Sequence, residues 1–120
     1  MKFIFDENLP HGFAKGLNNF GEDVEHVLDY FEMGAKDTEI LRFVGDNGFF
    51  LVTKDKKIRY NQSELLALRT HRVGAFFLVG KSMRIWDWVL QIIKSWENIK
   101  EFAETKNKPF IYKLRRSGKP

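Results

Sequence analysis

Short apolar runs alternate with stretches of helical period along almost the whole chain, and this order limits the possible folds more than any other feature. Residues 2–5 form an apolar run that Asp6-Glu7-Asn8-Leu9-Pro10 ends abruptly, which reads as a buried strand opening into a polar turn. Pro10 suits the first turn of a helix, where its missing N–H is not needed. Leu9, Phe13, Leu17 and Phe20 recur on one helical face until Gly21 stops it. Residues 23–27 read as a second strand through Val24 and Val27, and 28–36 as a loop around Gly34. Ile40, Leu41, Phe43 and Val44 predict a helix over 38–47, with Asp37 placed to cap it.

Residues 49–53, Phe-Phe-Leu-Val-Thr, carry the clearest strand signal, and the charged stretch Lys54-Asp55-Lys56-Lys57 follows. Ser63 is placed to cap a helix over 64–70, and 73–79 is a further apolar strand. A long helix is expected over 83–105, using Ile85, Trp88, Val89, Ile92, Ile93, Trp96, Ile99 and Phe102. Pro109 ends it, and 110–114 reads as a closing edge strand. The sum is an α/β fold: a mainly parallel sheet with helices on both faces, joined by right-handed crossovers. A chain of 120 residues suits one hydrophobic core, so residues 1–114 are expected to form a single domain and 115–120 a basic tail.

Composition removes several chemistries. The absence of cysteine excludes disulfides, thiolate zinc sites and thiol nucleophiles. No apolar run is long enough to cross a bilayer, and Asp6 arrives too early for the core of a signal peptide, so the expectation is a cytoplasmic protein without a membrane partner. Charge is divided unevenly. Residues 1–55 hold five bases against eleven acids, a net −6, and residues 56–120 hold fifteen bases against five acids, a net +10. An acidic half that gathers cations beside a basic half that attracts phosphate suits a polyanionic partner, although an uneven surface alone would give the same totals.

Ligands of an open parallel sheet gather beyond the carboxyl ends of its strands. Asp6 directly follows the first strand, Asp55 follows the third after Thr53 and Lys54, and Asp37 starts a helix that returns to one edge of the sheet or the other. Converging carboxylates repel one another unless a cation neutralises them, and hard oxygen donors favour Mg²⁺ or Mn²⁺. Asn8 and Thr53 could add a neutral oxygen or orient a ligand. Each aspartate also has a plain structural reading as turn or cap chemistry, and spacing alone leaves both open. Lys54, Lys56, Lys57 and Arg59 flank the same place, with Tyr60 among them as a surface for an unpaired base. Residues 106–120 carry six bases and no acid, including Arg115 and Arg116. Trp88 and Trp96 share the apolar spacing of the long helix and belong to the core or to the face of a homodimer. His11, His26 and His71 lack ligand spacing and read as structural or surface residues.

Taken in order, Lys2 to Pro10, Gly21-Glu22-Asp23-Val24, Gly34 to Leu41 and Leu51-Val52-Thr53-Lys54-Asp55 resemble the PIN-like domains related to VapC toxins over roughly residues 1–80. The resemblance implies a three-layer α/β/α sandwich and a metal-dependent endoribonuclease, the toxin of a toxin–antitoxin pair. It also implies Mg²⁺ or Mn²⁺ held by Asp6, Asp37 and Asp55, with RNA as substrate and an antitoxin protein as partner. Thr53 matches the small hydroxyl residue two places before the late aspartate. One position departs from the pattern: many relatives carry a further acid shortly after that aspartate, where this chain has Lys56 and Lys57. The departure weakens a second ion site, and it also fits a catalytically weak relative that binds RNA or a protein. A phosphate-accepting receiver domain would place acids at similar strand ends, but it would also need a later strand-end lysine that this chain does not clearly offer.

Overall fold

Strands covered on both faces can be apolar at every position, and the central strands here are. In the computed structural model, which describes residues 1–54, 61–80 and 84–115, β1 (Phe3–Phe5), β3 (Phe50–Thr53) and β4 (Gly74–Leu78) are buried throughout. β2 (Val24–His26) and β5 (Phe110–Leu114) complete one sheet in the order β2-β1-β3-β4-β5, with every neighbouring pair parallel. The expected three-layer α/β/α architecture is thus present.

The two-residue period of the strands divides their side chains between two cores. Phe3, Phe5, Phe50, Val52, Phe76 and Leu78 face α1 (His11–Asn19) and α4 (Ile85–Thr105), where they meet Ala14, Trp88, Ile92, Trp96 and Ile99. Ile4, Leu51, Ala75 and Phe77 face the opposite layer, α2 (Asp37–Asp46) and α3 (Gln62–Thr70), through Ile40, Leu41, Val44 and Leu68. Trp88 and Trp96 are both buried in the first core, so they pack within the chain rather than forming an exposed face.

Close approaches explain two glycines. A Cβ on Gly45 would sit 2.1 Å from the carbonyl oxygen of His71, so α2 and α3 touch backbone to backbone there. A Cβ on Gly74 would come within 2.8 Å of the Phe50 and Phe110 rings, which fill the space above β4.

Several local expectations are corrected. Asp37 is the first residue of α2 and Lys36 occupies the cap position, so Asp37 does not serve as the N-cap. Asn61, not Ser63, caps α3, its side-chain oxygen accepting from the N–H groups of Ser63 and Glu64. Val27 leaves the second strand for a 3₁₀ turn, Val27–Asp29. Phe20 follows the last turn of α1 and is 85% exposed, because the helix ends before its face returns to the core. Lys108, one of the six bases of residues 106–120, turns inward. Its ammonium donates to the carbonyls of Gly48 (2.9 Å) and Phe49 (3.0 Å) and lies 4.0 Å from the centre of the Phe50 ring. Among the described residues no helix is long and apolar enough to cross a membrane.

Candidate functional site

Strand order locates the crevice. The chain passes from β1 outward to the β2 edge, then crosses back over β1 to β3, so connections leave β1 and β3 in opposite directions. In doubly wound sheets of this order the space beyond the carboxyl ends of those two strands is the switch point where ligands bind.

Asp6 stands there. Its N–H donates to the carbonyl of Val52 at 3.0 Å, carrying the β1–β3 pairing one residue past the strand. Its own carbonyl accepts from Leu9 N–H at 3.0 Å and closes the turn into α1. The residue as a whole is 6% exposed. Thr53 Oγ1 donates to Oδ2 at 2.9 Å, and Asn8 Nδ2 donates to the same oxygen at 3.2 Å. Thr53 and Asn8 therefore orient the carboxylate, one of the two roles the sequence left open for them. Both are neutral donors, so they fix its direction without cancelling its charge. A hard, oriented oxygen donor of this kind fits a Mg²⁺ or Mn²⁺ ion.

Asp37 comes to the same sheet edge by topology. α2 runs back from it for ten residues to the start of β3, so its first turn lies at the carboxyl ends of the strands. Its side chain is half-buried. Asp55, Lys56, Lys57, Arg59 and Arg116 lie outside the described residues. Among the described residues no group of three His, Asp or Glu stands ready to hold a metal, so a three-carboxylate site needs Asp55. Lys54 leaves the end of β3 half-buried, and Arg115 follows β5 exposed.

A clasp that the sequence reading did not foresee ties the two acidic loops together. His26, fully buried at the end of β2, donates from Nε2 to the Leu9 carbonyl (2.8 Å) and accepts from Leu28 N–H at Nδ1 (3.1 Å). Those partners select one neutral tautomer. Asp29 accepts from His26 N–H at 2.8 Å and pairs with His11 Nε2 at 2.7 Å, and the His11 ring stacks on His26 with centres 4.5 Å apart. Glu7, next to Asp6, accepts from Gly34 N–H at 3.2 Å, three residues before Asp37. None of these groups has ligand spacing in the sequence. The one available signal was three chemistry-bearing residues, Glu7, His11 and His26, beside strand ends.

Burial holds His26 below its ordinary value of 6.5. The unfolded chain then takes up a proton that the folded chain refuses, so this group's contribution is complete above pH 6.5 and falls as the pH drops below it. Asp29 is held low by His26 N–H and His11, against the burial that raises it, and its contribution is lost only below about its ordinary 3.8. Melting temperature is therefore expected to fall between pH 7 and pH 5, and His26→Gln to flatten that fall. A fall of the same steepness in the variant would assign it elsewhere.

An open doubly wound domain thus carries a buried, oriented carboxylate at its switch point, the place where ligands of such sheets gather. A model of the PIN-like domain family matches residues 1–80, two thirds of the chain, and the chain belongs to that family. No curated protein and no solved structure matched it.

Proposed function

We propose that this protein is a metal-dependent endoribonuclease of the VapC-related toxin kind, with Asp6, Asp37 and Asp55 holding Mg²⁺ or Mn²⁺. The observation that carries the reading is the Asp6 carboxylate, buried at the β1–β3 switch point and aimed by Thr53 and Asn8. When bound, the ion supplies an activated water and charge stabilisation at phosphorus. The chain's own residues do the rest. Thr53 and Asn8 fix the direction of one ligand, and the hydrogen bond from Gly34 to Glu7 ties the loop that precedes Asp37 to the turn that follows Asp6. Lys54, Lys56, Lys57, Arg59, Arg115 and Arg116 draw the RNA backbone to an otherwise acidic edge. An antitoxin protein that covers this edge, and a cytoplasmic location, follow from the same reading; a second copy of the chain remains a candidate partner.

One sequence observation favours a second reading. Lys56 and Lys57 stand where many relatives carry another acid, which suits a module that binds RNA or a protein and cuts weakly. Incubation of purified protein with single-stranded RNA separates the two. Endonucleolytic products that vanish with chelator and return with Mn²⁺ are expected; tight binding with no stimulated cleavage selects the binding module.

A further inference from the structure

Lys54 is the first residue beyond β3, adjacent to the threonine whose hydroxyl holds Asp6. Its ammonium lies 5.2 Å from the centre of the Trp88 ring. Among the described residues it pairs with no carboxylate, although the chain's acidic half supplies this edge. Trp88 is 7% exposed and belongs to the core formed with Ile92 and Trp96, so its ring is a fixed surface rather than a mobile one. Indole offers the best aromatic face for a cation, and a lysine on a long stem otherwise spreads its charge over many rotamers.

The consequence concerns repulsion. A phosphodiester approaching carboxylates meets like charge, and a cation held in place at the same sheet edge lowers that barrier. A lysine resting its stem on an apolar ring for packing alone would look similar in a static view. Two facts favour a working role: the ring meets the ammonium end itself, and the lysine springs from the same strand end that carries the hydroxyl on Asp6.

We infer that Trp88 is a positioning residue whose indole holds the Lys54 ammonium at the carboxyl end of β3, on the sheet edge where Asp6 stands, as a seat for an RNA backbone phosphate. This rests on the ribonuclease reading for its substrate, but not on cleavage for its test. Affinity for a fluorescent single-stranded oligoribonucleotide is measured in chelator over a series of salt concentrations. Lys54→Met weakens binding several-fold and reduces the slope of log Kd against log salt by about 0.7, the value for one phosphate contact on a single strand. Trp88→Leu weakens binding about threefold with the slope kept, since the charge remains but is no longer held; Trp88→Phe restores most of the loss. The double variant Lys54→Met/Trp88→Leu binds no worse than Lys54→Met alone.

Wild-type affinity in a folded Trp88→Leu protein, or losses that multiply in the double variant, would overturn the inference. Proton spectra of the wild-type protein supply a check that needs no variant. The Lys54 ε-methylene is expected upfield, under the ring current of Trp88, and an unshifted signal would also overturn the proposal. Absence of chelator-sensitive cleavage counts against the nuclease reading alone, because binding here is read without metal.

Discussion

An Asp6→Asn variant is expected to lose about a thousandfold or more of its RNA cleavage, roughly 4 kcal/mol of transition-state stabilisation. It is expected to stay folded. The two effects separate because they use different properties of one side chain. The amide oxygen of asparagine can still accept from Thr53 and Asn8, so the turn after β1 keeps its hydrogen bonds. What disappears is negative charge at a buried position, which a bound cation needs. Thr53→Val should act more gently, loosening the carboxylate while leaving its charge. Cleavage at the wild-type rate in both Asp6→Asn and Asp55→Asn would remove the site assignment.

Phe76→Ala is expected to lower stability by about 3–5 kcal/mol, the usual range for deleting a buried phenylalanine. Against a typical total of about 5–15 kcal/mol, that leaves a protein close to unfolding. Phe76 is fully buried in β4, and its ring meets five others: Phe3 (6.2 Å between centres), Phe50 (6.3 Å), Phe102 (6.0 Å), Phe110 (5.3 Å) and Tyr112 (5.7 Å). Those partners come from β1, β3, α4 and β5, so one ring joins the first strand to the last. Three of them lie beyond residue 80, the limit of the family match, and the C-terminal stretch is therefore part of the same core. Urea denaturation measures the loss directly. A change below about 1 kcal/mol would mean that the aromatic cluster relaxes around the gap.

Among the described residues, alternation of apolar runs with helical periods identified the five strands and four α-helices, because both periods are imposed by which face is buried. Even the edge strand after Pro109 followed from Phe110 to Leu114. The errors fell where a single side chain decides. Asp37 and Ser63 both suit a cap by type, yet the helices begin at Asp37 itself and after Asn61, since the cap is fixed by where the backbone enters the helix. Phe20 matched the helical spacing but is the C-cap residue, where the chain leaves the helix for the turn at Gly21.

The site divides in the same way. Asp6 could be placed at a strand end from sequence because parallel sheets put their chemistry there. Its bond to Thr53 depends on β1 pairing with β3 rather than with β2 alone, which spacing does not reveal. The His26 clasp and the Lys54–Trp88 contact join residues far apart in the chain, through rings and backbone carbonyls that leave no motif. Lys108 shows the converse: a base in a basic stretch that the fold turns inward to two carbonyls, where burial holds its ammonium below the ordinary lysine value.

The central claim is that three carboxylates from separate stretches share one hard cation. Anomalous diffraction from crystals soaked in Mn²⁺ tests it most directly. The account predicts one strong peak beyond the carboxyl ends of β1 and β3, with oxygens of Asp6, Asp37 and Asp55 at about 2.0–2.3 Å from it. A peak lying elsewhere, or no peak with the Asp37 and Asp55 side chains directed away from Asp6, would contradict it.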